Sequence, residues 1–407
     1  MAKTIAVIAT LDTKGAECAY LREQIEALGS RALLIDIGVV GEPATPADVS
    51  REEIAAAGGT ELTTLLENPT RQVAVPVMIA GATRCLQDRV GEGKIDGVIG
   101  LGGTQGTSTC AAIMQTLPYG LPKILVSTMA SGDTSAFVGI KDITMMFSVS
   151  DILGLNPLTR KILANAAGAA HGMAQSSVTL QAGGGDRPAI GMTNLGVLTA
   201  GGMKAIELFE QAGYETIVFH AVGSGGQAME QMMREGIIGA VFDYALGEVS
   251  DEVHGGFRAA SPERLTVAGE LGLPQVYCPG GTEHIGLFVE ADQVPDAYQD
   301  HKYVFHNPII FVPRLDGAEM EKVAEEIASR LAKHPSEAAF LLPTRGTSRY
   351  SVKGGPLHDP ESDRAFFETL KAQLPSHVTT FEVDAAAEDD VFVELAVQQL
   401  IAQIEDA

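Results

Sequence analysis

The chain has 407 residues, of which 45% are hydrophobic and 20% are charged, and its formal net charge at pH 7 is −24. This composition excludes a disordered chain, and the length exceeds the size at which one hydrophobic core keeps growing, so two domains are expected. The negative charge disfavours nucleic acid as a partner, because the field of the whole molecule repels a phosphate backbone. No apolar run approaches the roughly 20 residues of a membrane-spanning helix, so no membrane partner is expected.

Cysteine usage and the first residues bear on the cellular compartment. The four cysteines are widely spaced and form no CxxC pair, which favours reduced thiols over a disulfide framework or a zinc site. The chain enters a strand pattern at Ile5 without a basic and apolar leader, so no secretory signal is expected. Both observations favour a cytoplasmic protein.

The first half of the chain alternates short apolar segments with amphipathic ones, which is typical of βαβ units and a parallel sheet. Strands are predicted at residues 5–9, 32–37, 97–101, 124–127 and 144–147. Helices are predicted at residues 16–28, 106–115 and 156–174, the last of them opened by Asn156 and Pro157. We therefore expect a first α/β domain over residues 1–180.

Residues 181–188 (QAGGGDRP) lack apolar periodicity and concentrate glycine, which predicts a linker. The alternation then restarts, and a second domain is expected over residues 189–407. Its strands are predicted at residues 189–192, 216–219, 238–242, 275–277, 309–312, 338–342 and 378–383. Its helices are predicted at residues 202–212, 227–235, 262–271, 318–332, 361–374 and 390–404. The predicted fold class is therefore α/β, with two doubly wound halves of mainly parallel strands.

Ligands of parallel α/β sheets bind beyond the carboxyl ends of the strands, where glycines and helix N-termini face them. In the first domain, three strand ends carry glycine, hydroxyl or ionisable residues that suit an anion such as a phosphate. An aspartate at such a turn also has an alternative role as a helix cap. The candidate residues are Asp12, Thr13 and Lys14, then Gly102, Gly103, Thr104, Gly106 and Thr107, and finally Ser127, Thr128 and Asp133.

The second domain repeats this arrangement at its own strand ends. His220 is the candidate to donate to an anion or exchange a proton, and Asp243 is the candidate to handle a proton or a metal. The candidate binding residues are Asn194 after the first strand and Gly223, Ser224, Gly225, Gly226 and Gln227 after the second.

The glycine turn at residues 223–226 is expected to form an anion-binding nest with positive φ at one glycine or more. Valine at Gly225 is then expected to weaken binding much more than stability, whereas valine at Gly184 in the linker should change neither property. Neither this turn nor any other matches GxGxxG or a P-loop, and each turn taken singly is also explained as a tight βα connection. Their recurrence at strand ends predicts an anionic ligand, most naturally a nucleotide.

A metal site made of protein ligands alone is not predicted. The acids and the histidine at residues 243–254 do not match a metal-ligand spacing and are expected to solvate a loop and the start of a helix. Magnesium carried in on a nucleotide, and held by one or two carboxylates, fits the sequence better.

Four segments together resemble the ATP-binding family typified by the N-terminal domain of the tomato mosaic virus resistance protein, whose bacterial members are mostly uncharacterised. They are IAVIATLDTKG at residues 5–15, GLGGTQGT at 100–107, FHAVGSGGQAME at 219–230 and HNP at 306–308. The resemblance covers essentially the whole chain in order. It implies two Rossmann-like subdomains with a nucleotide in the cleft between them, and self-association as a homodimer. Residues 280–284 and 385–389 depart from the family pattern, so the small-molecule substrate is expected to differ or the second site to be altered.

Two functional hypotheses remain at this stage. In the first, the protein is an enzyme that uses ATP and Mg²⁺ on a small carboxylate or sugar-acid metabolite, with His220 or Asp243 as the catalytic group. In the second, the nucleotide stabilises a dimer that docks partner proteins without turnover. Polar groups beyond those that phosphate binding needs favour the first hypothesis slightly.

Overall fold

The computed structural model describes residues 2–178, 180 and 187–407. The chain divides into two compact units, which we call unit 1 (Met1–Leu180) and unit 2 (Gln181–Ala407). Residues 181–186 of the predicted linker, and Gly184 with them, lie outside the described residues. Among the described residues, no helix combines the length and the apolar character that crossing a membrane requires.

Unit 1 is built around a five-stranded sheet in which every pair of neighbouring strands is parallel. The strands are β1 (Thr4–Ala9), β2 (Arg31–Asp36), β3 (Gly97–Gly102), β4 (Lys123–Ser127) and β5 (Thr144–Phe147). The helices are α1 (Leu11–Ala27), α2 (Arg51–Ala57), α3 (Leu62–Glu67), α4 (Arg71–Gly91), α5 (Thr104–Met114), α6 (Ser135–Val138) and α7 (Pro157–Ala174). The predicted strands are therefore confirmed, with shifts of one residue at some ends.

Alternate side chains of each strand in unit 1 pack into separate cores on the two faces of the sheet. Ala6 and Ile8 belong to the core that includes residues of α2, α4 and α5. Ile5 and Val7 belong to the core that includes residues of α1 and α7. The strand order β2-β1-β3-β4-β5 reverses direction between β1 and β3. In a doubly wound sheet, the carboxyl ends of the strands at such a switch point form the ordinary ligand site.

Unit 2 contains a parallel six-stranded sheet in the order β14-β13-β9-β8-β6-β7 and an antiparallel three-stranded sheet in the order β10-β12-β11. The strands are β6 (Ala189–Asn194), β7 (Thr216–His220), β8 (Ile238–Ala245), β9 (Gln275–Gly280), β10 (Leu287–Phe288), β11 (Tyr303–Asn307), β12 (Ile310–Pro313), β13 (Ala338–Pro343) and β14 (Val378–Val383). The helices are α8 (Thr199–Gln211), α9 (Ser224–Arg234), α10 (Gly247–His254), α11 (Val267–Leu271), α12 (Gly317–Leu331), α13 (Pro360–Gln373) and α14 (Asp390–Asp406). The α/β fold class with two doubly wound, mainly parallel units is confirmed.

One helix of unit 2 is shorter than its sequence pattern indicates. A helix is predicted at residues 262–271, but only the five residues of α11 are helical. Leu265 stands at a φ of 70°, and its backbone N–H donates to the buried carboxyl group of Glu230 over 2.7 Å. Arg264 is turned into the interior at the same point. The positive φ of Leu265 and its hydrogen bond to Glu230 keep the chain out of the helical conformation until Val267.

Candidate functional site

A cavity of about 500 Å³ lies in unit 1 at the carboxyl ends of β1 and β3, and we call it the nucleotide cavity after the ligand that the sequence predicts. It falls on the switch point of the sheet, and its volume is within the range of small-molecule sites. One wall is largely apolar and comes from the segment after β2 and from α4, with Ile37, Val39, Val40, Pro69, Ala74, Val75 and Met78. The other wall is polar and comes from the β1–α1 and β3–α5 turns, with Thr10, Asp12, Thr13, Lys14, Gly102, Gly103, Thr104, Gln105, Gly106 and Thr109.

The β3–α5 turn is shaped by its two glycines. A Cβ atom on Gly102 would lie 2.6 Å from the Cα of Gly106, so only glycine lets the strand run this closely into the helix. Gly103 is the N-cap of α5 and provides no side chain to bond the first N–H groups of the helix. A Cβ atom on Gly103 would meet only the Oγ1 of Thr128, at 3.9 Å, so the space before the helix is open. Backbone N–H groups at such a helix end attract anions.

The β1–α1 turn brings the predicted residues Asp12, Thr13 and Lys14 to the same cavity. The Oδ1 atom of Asp12 is buried and has no hydrogen-bond partner among the described residues. The Nζ atom of Lys14 donates to the carbonyl oxygen of Ile152, and the backbone of Lys14 interrupts the helical geometry at φ −121° and ψ 16°. Among the described residues, the turn therefore presents a carboxylate oxygen without a hydrogen-bond partner and a lysine that donates to a neutral acceptor.

Two further ionisable residues near this cavity, Asp36 and Arg71, are not predicted from the sequence pattern. Asp36 is buried, and its Oδ1 accepts hydrogen bonds from the backbone N–H groups of Leu11 and Gly38 at 3.0 and 2.9 Å. Burial raises the pKa of this carboxyl group, although the two backbone bonds oppose the shift. Arg71, at the start of α4, lines the cavity and pairs with no acid among the described residues. Both residues lie far in sequence from the glycine turns, so only the fold brings them to the site.

Thr107 and Ser127 lie behind the β3–α5 turn. Both are fully buried, and their hydroxyl groups are 2.7 Å apart. The hydroxyl group of Thr107 also donates to the carbonyl of Gly102 over 3.2 Å. These two predicted site residues therefore fasten the ends of β3 and β4 to α5, where they hold the turn in shape.

Asp133 is exposed, and its Oδ1 accepts a hydrogen bond from the backbone N–H of Ser135 over 2.9 Å. This bond lowers the pKa of the Asp133 carboxyl group. Asp133 is absent from the lining of the nucleotide cavity, and its side chain closes a short turn just before α6, whose N-cap is Thr134.

The glycine turn of unit 2 already holds a carboxylate of the protein. Gly223 has a φ of +86°, as expected for a nest, but its N–H and that of Gly226 donate to the Oε1 of Glu248 over 2.6 and 3.1 Å. Glu248 is fully buried and pairs with Arg264 over 2.7 Å. We therefore do not retain this turn as the phosphate site.

The expectation for valine at Gly225 is wrong. Gly225 does not have positive φ, and a Cβ atom at this position would lie 1.8 Å from the carbonyl oxygen of His220. Any side chain here must push the start of α9 away from the end of β7. Stability, rather than ligand binding alone, is what the substitution would change.

Asp243 and His220 are not brought together. Asp243 is buried and accepts hydrogen bonds from Thr193 over 2.6 Å and from both terminal nitrogens of Arg264, one of them at 2.8 Å. His220 is exposed at the end of β7, and its Nδ1 lies 3.4 Å from the carbonyl oxygen of Asn194. Strand β6 separates β7 from β8 in the sheet. Asp243 therefore serves an internal ion pair rather than a site shared with His220.

The remaining candidates of unit 2 lie at the same strand ends. Asn194 has a buried side-chain oxygen with no hydrogen-bond partner among the described residues. Ser224 is exposed and Gln227 is half-buried, both in the first turn of α9.

The acids that follow β8 are not solvating a loop, as the sequence pattern predicted. Glu248 and Asp251 are fully buried, and Asp251 pairs with Arg258 over 2.6 Å. The sequence gives little indication of these buried ion pairs. Each arginine lies well beyond its acid in the chain, and nothing in the local pattern distinguishes it from a surface arginine.

Residues 280–284 also contribute to a buried network of hydrogen bonds, centred on Glu283. Glu283 lies 3.0 Å from His284 and accepts hydrogen bonds from the hydroxyl groups of Thr347, over 2.8 Å, and Ser348. Burial by itself would raise the pKa of Glu283, but His284 and the hydroxyl bond outweigh it and hold the pKa at about 2.

One group of side chains among the described residues has ligand atoms close enough to hold a metal ion, namely His301, Asp316 and Glu319. Asp316 and Glu319 already form the capping box of α12, so their oxygens bond the backbone at the start of that helix. Two of the three side chains in this group therefore serve helix capping.

Comparison with known proteins places the chain in a family. Residues 3–179 match the N-terminal domain of the uncharacterised protein family UPF0261, and residues 187–404 match its C-terminal domain. A UPF0261 protein of Clostridium tetani is 37% identical over 406 residues, covering 100% of both chains. The ToMV resistance protein Tm-1(GCR237) of Solanum lycopersicum is 34% identical over 311 residues, which are 75% of this chain and 41% of the tomato protein.

Among solved structures, E. coli ADP-heptose lps heptosyltransferase II is similar over 100% of both chains, with a TM-score of 0.20 and 11% identity. A likeness at that level supports no inference about this chain. The family matches and the tomato relative confirm the family that the four motifs indicate, while its ATP binding stays a prediction. The chain belongs to the uncharacterised protein family UPF0261.

Proposed function

We propose that unit 1 binds ATP together with Mg²⁺ in the nucleotide cavity, and that the protein is an ATP-dependent enzyme acting on a small metabolite. The observation that carries the proposal is the position of an open helix N-terminus on the polar wall of a cavity at the switch point of the sheet. Both features lie within unit 1, so the proposal needs no residue of unit 2.

The phosphates would bind at the β3–α5 turn. The N–H groups of the first turn of α5 have no intrahelical acceptor, and Gly103 leaves the space before them open. Lys14 and Arg71 add positive charge on the same cavity, and neither is neutralised by an acid of the described residues. In a chain with a net charge of −24, two unneutralised cations beside a helix N-terminus favour an anionic ligand there.

The base and ribose would lie along the apolar wall. This wall combines β-branched, proline, alanine and methionine side chains from the β2 end and α4, which suit the flat face of a purine. A free phosphate or a small carboxylate would leave that wall uncovered. The two walls together therefore favour a nucleotide over a smaller anion.

Asp12 fits the magnesium that accompanies ATP. Its Oδ1 is buried without a hydrogen-bond partner among the described residues, and an unsatisfied buried carboxylate oxygen is costly unless a cation or donor meets it. Mg²⁺ on a nucleotide is held by one or two carboxylates and the phosphates. When bound, the ion would neutralise phosphate charge, and Asp12 would fix its position.

Isothermal titration calorimetry of the full chain with Mg·ATP tests the proposal. We expect saturable binding by the parent protein, and a loss of at least about tenfold in affinity for Gly103→Val, because the side chain stands between the ligand and its charge-assisted donors. Gly196→Val is the matched control, since Gly196 lies at a strand end of unit 2 with no atom within 4 Å of a built Cβ. Absence of binding at millimolar ATP, or parent-like binding by Gly103→Val, would overturn the proposal.

A further inference from the structure

A second cavity, of about 430 Å³, adjoins the nucleotide cavity in unit 1. The two cavities share Gly103 and Thr104, so the N-terminus of α5 separates one from the other. The other lining residues of this second cavity come from the ends of β4 and β5, and they are Thr128, Phe147, Val149, Ser150 and Asp151. A ligand here would lie beside the phosphate end of a nucleotide.

The lining of the second cavity has a distinct chemistry. It contains three hydroxyl groups, one carboxylate and one aromatic ring, and none of the described lining residues is lysine, arginine or histidine. Hydroxyl groups donate and accept hydrogen bonds, while a carboxylate only accepts them. A second anion would meet the full negative charge of Asp151, which exceeds the roughly half a unit of positive charge at the N-terminus of α5, so the lining disfavours a carboxylate or phosphate ligand.

The segment after β5 is held in an unusual conformation over this cavity. Val149 has a φ of 64°, which a β-branched residue rarely adopts. It is the central residue of a tight turn in which the N–H of Ser150 donates to the carbonyl oxygen of Ser148 over 2.7 Å. The hydroxyl group of Ser148 is buried and bonds the carbonyl of Ser150 over 2.7 Å. The turn is thereby fixed by two hydrogen bonds.

One hydroxyl group of this lining lacks a partner. The Oγ of Ser150 is buried, and no described residue bonds it. Buried hydroxyl groups are almost always hydrogen-bonded, so this oxygen calls for a donor or acceptor from outside the chain. A ligand with hydroxyl groups supplies both.

We propose that the second cavity binds a neutral sugar or polyol as the second ligand of the nucleotide-binding unit. The inference rests on the proposed function for its role beside ATP, but its chemistry rests on the lining alone. The ring of Phe147, which is 37% exposed, offers a flat apolar face to the C–H face of a sugar. Thr104, Thr128, Ser150 and Asp151 offer hydrogen bonds to its hydroxyl groups.

Ligand-observed saturation-transfer NMR with the full chain tests this inference. The probes are D-ribose, D-xylose, D-glucose, myo-inositol and glycerol, with D-gluconate and inorganic phosphate as anionic comparisons, each with and without saturating Mg·AMP-PNP. We expect at least one neutral probe to bind, and its affinity to fall about tenfold or more in both Phe147→Ala and Asp151→Asn. AMP-PNP affinity should stay within about twofold in these variants, since neither residue lines the nucleotide cavity.

Two control variants and a third substitution in the lining sharpen the test. Asp133→Asn removes an exposed acid that is absent from the lining, and Phe288→Ala removes an exposed ring of unit 2. Both should bind the probe like the parent. Val149→Gly relieves the positive φ, so the fold should be kept. It also removes a side chain that lines the second cavity, so probe binding should weaken.

The outcomes separate the two proposals. Failure of AMP-PNP to bind refutes the proposed function, whereas the probes still report on the second cavity without nucleotide. If no neutral probe binds, if only D-gluconate or phosphate binds, or if Phe147→Ala and Asp151→Asn bind like the parent, the inference about the second cavity is overturned.

Discussion

Replacing Gly225 by alanine should destabilise unit 2 without touching the nucleotide cavity. The Cβ atom would lie 1.8 Å from the carbonyl oxygen of His220, 2.7 Å from its carbonyl carbon and 3.2 Å from its nitrogen. All three atoms belong to the backbone, so no side-chain rotation can relieve the overlap. The start of α9 has to move away from β7, and the contact between Gly226 and Glu248 has to move with it.

Overpacking of this kind costs about 1–3 kcal/mol. For a unit of this size, each kcal/mol lowers the melting temperature by roughly 2–4 °C, so Gly225→Ala should melt about 2–12 °C below the parent. Thermal unfolding followed by far-UV circular dichroism measures the difference. Gly168→Ala in α7 is the control, because no atom lies within 4 Å of its built Cβ and alanine favours a helix over glycine. A Gly225→Ala protein that melts with the parent would refute the placement of this glycine against His220.

Three further predictions concern charge, metal and assembly. Burial raises the pKa of Glu230 from 4.5 to about 8, so the folded state keeps a proton that the unfolded state releases, and stability falls as pH rises through that window. Glu230→Gln should therefore gain stability over the parent at about pH 9 but not at about pH 4 in urea titrations, and an equal difference at both would count against the shift. Asp12→Asn should weaken Mg·ATP by about tenfold and leave magnesium-free ATP unchanged in calorimetry, and loss of both would assign Asp12 to folding instead. Light scattering should give twice the chain mass at micromolar concentration, and one chain mass would refute the homodimer.

Strands were the most predictable elements of this chain. The spans predicted at residues 144–147 and 378–383 coincide with β5 and β14, because short β-branched and apolar runs are bounded by polar turns at both ends. The strand predicted at residues 309–312 exists as β12 but belongs to the small antiparallel sheet. Pairing partners are set by contacts distant in sequence, so the pattern could not assign it to a sheet.

Helix α4 was missed for an identifiable reason. Its buried positions are mainly small residues, such as Ala74, Gly81 and Ala82, while Val73 is 45% exposed and Pro76 stands inside the helix. A Cβ atom on Gly81 would lie 1.8 Å from the carbonyl oxygen of Ile54, so α4 crosses α2 at a point where only glycine fits. The buried residues do fall at helical spacing, but small side chains on that face and exposed valines outside it leave little contrast in hydrophobicity between the two faces.

The glycine-rich turns of the two units differ in how far the sequence alone indicates their role. The turns after β1 and β3 meet at one cavity because carboxyl ends of adjacent parallel strands share an edge. The turn after β7 has the same glycine-rich composition, but its anion is Glu248 of the chain itself. A nest that binds an internal carboxylate and one that binds a ligand have the same sequence, and only the position of Glu248 in space distinguishes them.

Photo-crosslinking with 8-azido-ATP and magnesium, followed by mass spectrometry of the labelled peptides, tests whether the nucleotide binds in unit 1. The azide lies on the base, which we place on the apolar wall of the nucleotide cavity. We expect labelled peptides from residues 37–40 or 69–78, and protection of those peptides by excess ATP. Labelling that ATP suppresses only in peptides containing residues 220–227 of unit 2 would contradict this placement.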